Sequence, residues 1–555
     1  MSAFIKNLFF QSKEKSIPDK NKRTENIIAF FVCALIYCVF LLVCTRSSPL
    51  YPFNDWVDAN CFFTVGKSMM HGRVLYRDIY EQKGILLYLI HGIAYLISNT
   101  TFLGVYIFEV ISFTFFLYLS YLIARLYVNY LLSLSILPVM SWAVLTSVSL
   151  RQGDSAEEFC LPFILFCIYA MLKNTKEGDQ TGIPSLLTTY FLGVCAGCIL
   201  WIKYTMLGIY IGYVIVVVLL CITDRDMLRL VKSAAAFVLG AMTVSLPVLL
   251  YFALNGATSD LFEAYFYNNM FLYTDERSFA QRWSDIFSLA FRGLNNNKLW
   301  GWLCYLGLFS LVSDVENPRA SFGGIMMYLG NIFFIYWGGI GWYYYSFGMV
   351  ALCVPGFVAS VRIISFVCSE GYLLLRKLIS LVRARLGERA NARLDRAKSS
   401  LTELFDQKSR ASISLICALC VCMSLYVVYF ERCYSECDNV FYMKQSREEI
   451  WQTKFAEIIA ESEDQTLLNY SCLDLGLYTT AHIIPTEKYF CRLNLNTDEM
   501  NESLDSAVSE GRVEFLVIRG NPSDFVKTYY EIVASEKSHV EYEGSSTTYH
   551  LMRRK

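Results

Sequence analysis

The feature that most constrains this chain is a succession of apolar segments between residues 27 and 429. A helix needs ~20 mostly apolar residues to cross a bilayer. Eleven segments approach that length: 27–44, 102–124, 130–148, 158–172, 185–201, 204–222, 233–253, 299–313, 321–337, 343–366 and 411–429. Residues 1–430 carry 35 basic and 27 acidic side chains, whereas the last 125 residues alone carry 13 basic and 22 acidic. A soluble domain holds ~25% charged residues throughout. The 17% of the whole chain is therefore an average over a membrane body and a soluble, acidic tail. The net charge of −1 hides that split and gives no ground for nucleic-acid binding. The chain reads as an α-helical polytopic membrane protein of about 11 transmembrane helices. Residues 1–26 form an N-terminal segment, 27–429 the membrane domain, and 430–555 a small α/β domain.

Basic residues sort the connections. Cytoplasmic loops are enriched in Lys and Arg. With the basic N-terminus inside, Arg125, Lys173, Arg225, Arg319 and the strongly basic 367–410 loop all fall inside. That leaves loop 45–101, the Arg151–Glu158 turn, the Lys203 junction, loop 254–298 and the tail on the extracytoplasmic side. The arrangement holds only if 85–98 does not cross, and its 14 residues are short for a span. No small-residue cleavage site follows the first span, so it reads as an anchor. The expected location is an integral membrane protein, bacterial plasma membrane, tail outside.

Loop 45–101 is the richest in chemistry. It holds Asp55-Trp-Val-Asp58, then Phe62, Val65 and Met69 at helical spacing up to Gly72. Tyr76-Arg-Asp78-Ile-Tyr-Glu81-Gln-Lys83-Gly84 follows, leading into the apolar 85–98. Residues 57–70 are expected to be an amphipathic helix with Asp58 at its start, where the helix dipole favours a carboxylate. Asp58 as a plain helix cap stays equally open at this point.

Asp58, Phe62, Gly72 and Lys83-Gly84-Ile85-Leu86-Leu87 resemble the first outer loop of the GT-C polytopic glycosyltransferases. The closer branch contains the protein O-mannosyltransferases and the aminoarabinose transferases. The match departs in two places. The usual acidic pair is Asp58-Ala59, and the prolines after the Lys are Gly84 and Ile85. The resemblance spans about residues 1–260 and implies a GT-C-like fold. It also implies transfer of a sugar from a polyprenyl-phosphate donor to a glycan, lipid or protein acceptor, beside membrane lipids. Such inversion needs one base and cations for the departing phosphate. The resemblance assigns the base to Asp58 and the phosphate to Lys83 and Lys203. It implies no organic cofactor and leaves a divalent ion open.

Other residues are substrate-binding candidates: Asp55, Asp78, Glu81, Asp154, Glu157, Tyr267 and Asn268. Several have a plainer reading. Asp78 and Glu81 suit salt bridges with Arg73 or Arg77, Lys203 suits snorkelling, and the aromatic residues suit an interfacial belt. Nineteen Cys show no metal spacing, and the two CxxC pairs, Cys195–Cys198 and Cys417–Cys420, sit inside spans. In the tail, 446–461 and 497–511 are expected as helices, with strands at 466–471, 513–519 and 539–552. It carries no phosphate loop or nucleophile elbow. The competing function is a transporter or flippase of lipid-linked glycans, which calls for internal repeats and midplane charges. The sequence shows neither clearly.

Overall fold

The computed structural model describes residues 19–177, 182–273, 278–312, 318–364, 443, 445–495, 497–538 and 547–555. The expected span 411–429, the basic loop 367–410, and Cys433 and Cys437 lie outside the described residues.

The other ten expected spans overlay helices. They fall on α1 (Asp19–Cys44), α4 (Leu103–Arg125), α5 (Tyr130–Leu145), α6 (Ala156–Glu177), α7 (Leu186–Lys203), α8 (Gly208–Thr223), α9 (Met227–Leu254), α11 (Lys298–Val312), α12 (Pro318–Tyr336) and the helical stretch Tyr343–Ile364. Among the described residues, five helices are long and apolar enough to cross a membrane by length and composition: Lys22–Cys44, Leu103–Arg125, Leu186–Thr223, Met227–Leu254 and Tyr343–Ile364. Shorter apolar helices stand beside them. Leu186–Thr223 is broken at Tyr204–Leu207 by a 3-10 turn, so it reads as α7 and α8 meeting at Lys203. On α9, Val238, Leu239, Leu246 and Leu250 are exposed. A soluble protein avoids such a surface, and lipid accepts it.

Neighbouring helices pair α7 with α9, α8 with α12, and α4 with α1 and α6. Two helices precede the second long apolar helix, and the later of them packs against α4 and α7. α2 (Val57–Met70) has the bounds its apolar spacing predicts, and α3 (Ile85–Ile97) is 13 residues long. They cross closely because Gly66 meets Gly92. A Cβ on Gly66 would lie 2.5 Å from the Gly92 nitrogen. Segment 254–298, expected as a loop, is largely helical. It contains a π-helix, Phe262–Leu272, and the amphipathic α10 (Phe279–Asn296). The Ser278 and Gln281 side chains close a capping box that starts α10.

The C-terminal part has a four-stranded mixed sheet in the order β1-β2-β4-β3. β1 (Leu467–Asn469) runs parallel to β2 (Phe515–Arg519), while β4 (Thr547–Arg554) is antiparallel to both β2 and β3 (Tyr530–Ser538). Helices α13 (Trp451–Ala460) and α14 (Asp498–Ser509) fall where the apolar spacing predicts them. β3 was not expected from the sequence.

This domain grips α2. Thr64 Oγ1 donates to Asp474 Oδ2 at 2.6 Å, and Lys67 Nζ donates to the Tyr478 and Ile483 carbonyls at 2.9 and 2.6 Å. Farther along the loop, Arg73 donates to the carbonyls of Pro485 and Thr486, and the Tyr80 N–H to that of Lys488.

Candidate active site

The turn before α3 carries Lys83 and is held from several sides. Its backbone N–H donates to Glu81 Oε2 at 2.9 Å and to the Tyr88 hydroxyl at 2.7 Å. Its carbonyl accepts from the Tyr76 hydroxyl at 2.5 Å. The Gly84 N–H then donates to the Ile202 carbonyl at 3.0 Å. Proline has no N–H to do this, and a Cβ at residue 84 would lie 2.1 Å from the Trp201 oxygen. The departure from the family's Lys-Pro thus has a local cause: the turn lies against the end of α7. That contact brings Lys83 toward Lys203.

Lys83 and Lys203 line one cavity of about 550 Å³, together with Gln82, Thr205, Asn269 and Arg282. Tyr204, Tyr265, Tyr273, Trp337 and Tyr345 give it an aromatic wall. Gln82 Nε2 and Thr205 Oγ1 are buried without a partner. Lys83 Nζ lies 4.0 Å from Glu81 Oε1 and 5.9 Å from the Phe62 ring centre. Burial works to lower the Lys83 pKa, but the Glu81 and Asp58 carboxylates outweigh it and hold the ammonium above its ordinary value. Lys203 Nζ lies 2.5 Å from Glu157 Oε1 and 4.0 Å from the Tyr345 ring centre.

Asp58 sits in the first turn of α2, half-buried. It is not the cap: Trp56 occupies that position, and no side chain caps the helix. Burial pushes the Asp58 carboxyl up. Lys83 opposes that, Glu81 adds to it, and a Tyr344 hydrogen bond and, least, Lys203 oppose it again. A carboxylate so placed is able to hold a proton and return it.

Asp58 is not among the residues that line the cavity, and the remaining candidates are elsewhere. Asp55 pairs with Arg46 at 2.5 Å, both buried. Asp78 pairs with Arg77 at 2.7 Å, which lowers its pKa. Asp154 accepts from or donates to His91 Nε2 at 3.0 Å in a fully buried contact, and its N–H donates to Glu109 Oε1 at 2.9 Å. Tyr267 is exposed, and Asn268 donates to the Tyr80 hydroxyl at 2.8 Å. None of these five lines the cavity. Asp275, Glu276 and Arg277 lie outside the described residues. Sequence reasoning missed Gln82, Thr205 and Arg282. The capping box at Ser278 was the available signal for Arg282, because it places that residue in the opening turns of a helix. Among the described residues no group of three or more His, Cys, Asp or Glu is placed to hold a metal ion.

Neither a protein-family model nor any curated protein sequence matches the chain. Solved structures do. ArnT from Cupriavidus metallidurans bound to undecaprenyl phosphate superposes with a TM-score of 0.57 at 15% identity, covering 93% of this chain and 97% of that one. The apo form of the same protein gives 0.54 at 12% identity over the same shares. This chain has the GT-C fold. The GT-C likeness drawn from Asp58 to Leu87 thus holds at the level of fold on the ArnT side. The comparisons do not reach the O-mannosyltransferase side. A GT-C fold with these apolar helices makes the chain an integral membrane protein.

Proposed function

We propose that the protein transfers a sugar from a polyprenyl-phosphate donor to an acceptor hydroxyl, with inversion, at the extracytoplasmic face of a bacterial plasma membrane. The observation that carries this reading is the convergence of Lys83 and Lys203 on one cavity, and the influence of both lysines on the Asp58 carboxyl supports it. The undecaprenyl phosphate named for the ArnT neighbour supports the lipid phosphate as the ligand. In this reading residues 27–429 form the catalytic membrane domain and 430–555 an outer domain that borders the site.

The chemistry follows from the charges. Lys83 and Lys203 face the donor phosphate, and charge-assisted bonds in a poorly screened cavity are strong. The acceptor oxygen attacks the anomeric carbon from the face opposite the phosphate. The bond from that carbon to the phosphate oxygen breaks, and its electron pair leaves with polyprenyl phosphate. Asp58 takes the acceptor's proton.

The test is Asp58→Asn, which keeps the size but not the basicity. Loss of a general base costs ~10²–10⁴ in rate. Expression, melting and binding of undecaprenyl phosphate are expected to stay near wild type while transfer is nearly lost. Substantial transfer by this variant would move the base elsewhere. Translocation of lipid-linked glycan with no new glycosidic bond would return the transport reading.

A further inference from the structure

Lys203 is not an idle cation waiting for phosphate. Its Nζ lies 2.5 Å from Glu157 Oε1, and the Glu157 side chain is about 1% exposed. Glu157 Oε2 has no hydrogen-bond partner. Lys203 is also the last residue of α7, where the helix dipole favours a cation. The second cavity lysine is matched in the same way, at longer range, by Glu81 at 4.0 Å. Each lysine that lines the cavity therefore arrives with its own carboxylate, and neither carboxylate lines the cavity itself.

That arrangement has an energetic consequence. If Lys203 turns toward a ligand phosphate, Glu157 is left buried with a weakened partner, which is costly. The cost is the same for any phosphate, but the return is not. A phosphodiester carries one negative charge, whereas a phosphomonoester carries nearly two at neutral pH. The negative field of Glu157 opposes the second charge. On the transferase reading above, the donor is the diester and the spent carrier is the monoester.

We propose that Glu157 is the counter-ion that Lys203 exchanges for ligand phosphate, and that it sets the cavity's preference for the singly charged donor over the doubly charged product. Without it the cavity would hold its own product. Glu157 is thus a specificity-determining residue acting through Lys203.

The experiment measures binding of farnesyl phosphate and of its methyl diester to the full chain in nanodiscs. Glu157→Gln is expected to tighten the monoester by about tenfold or more and the diester much less, since one opposing charge is removed. Turnover falls with it because release slows, so kcat and KM drop together. Adding Lys203→Met to Glu157→Gln is expected to abolish the gain. Glu157→Asp keeps the charge but lengthens the pair, and is expected to tighten the monoester by a smaller factor. A merely structural Glu157 would weaken binding when replaced. Unchanged or weaker monoester binding in folded Glu157→Gln overturns the proposal, and if that variant does not fold, the same result in Glu157→Asp does so. Wild-type protein that binds neither probe overturns the phosphate reading itself, and this inference with it.

Discussion

A base at a membrane surface needs two opposed influences: burial that makes its proton worth holding, and a cation that lets it ionise. Asp58 has both, with burial the larger and Lys83 the first to oppose it. Its pKa is raised from the ordinary Asp value, so on the proposed mechanism the rate falls with dropping pH earlier than it would for an unperturbed Asp. Removing Lys83 removes the leading opposing charge. Lys83→Met is therefore expected to move the acid limb of the pH–kcat profile upward, measured at saturating donor. A limb that stays put or moves down would separate Asp58 from Lys83. The plainer reading of Asp58 as a cap was natural from the sequence, since an acidic residue at a helix start has that geometry. Trp56 took the cap position, and the carboxylate was left in the first turn.

At the scale of elements, the decisive contact is between a turn and a helix end. Lys83-Gly84 lies against Trp201-Ile202-Lys203 through the Gly84 N–H and the absence of a Cβ. Adding a methyl group where only 2.1 Å is available forces the backbones apart, and overpacking of this kind costs about 1–3 kcal/mol. Gly84→Ala is expected to lower the melting temperature and to weaken binding of polyprenyl phosphate together, because the two lysines separate. Equal affinity in Gly84→Ala would show that the lysines do not depend on this clasp. The sequence marked Gly84 only as a departure from a motif. Its reason is a neighbour more than a hundred residues away, which no local pattern records.

At the scale of the whole molecule, the C-terminal domain and the membrane body meet across α2. Lys67 is a cation buried at that meeting. Burial lowers its pKa from the ordinary 10.5 to about 8, against the attraction of Asp474. A lowered lysine pKa means that the unfolded chain binds more protons between those two values, so stability rises with pH across that window. The full shift corresponds to about 3 kcal/mol. Buried thiols such as Cys472 and Cys491, whose pKa burial raises, pull stability the other way over the same range. The Lys67 rise is therefore read as the difference in melting between wild type and Lys67→Met from pH 7 to 10.5, expected to grow with pH in favour of wild type. A difference between the two proteins that stays flat or shrinks with pH would mean that Lys67 does not carry a lowered pKa. The topology is a separate matter at the same scale. With native reactive Cys replaced, a Cys placed in the tail is expected to react with an impermeant thiol reagent in intact cells, and one in 380–400 is not. The reverse pattern would invert the proposed orientation.

Periodicity and composition determined a great deal by themselves. The apolar helices, the bounds of α2, the short length of α3 and the C-terminal sheet region are local consequences of apolar spacing and charge density. A backbone in lipid must satisfy its own hydrogen bonds, so apolar length alone dictates helix. The mixed sheet was partly legible for the same local reason, whereas β3 was not. Tyr530–Ser538 carries charges at several positions and takes its strand form from pairing with β4. What only the tertiary structure decided is which polar residues meet. Asp55, Asp78 and Asp154 found Arg46, Arg77 and His91, whereas Lys83, Lys203 and Arg282 came to one cavity. A charge in a sequence carries no mark of its partner, because pairing depends on distances that the folded chain sets.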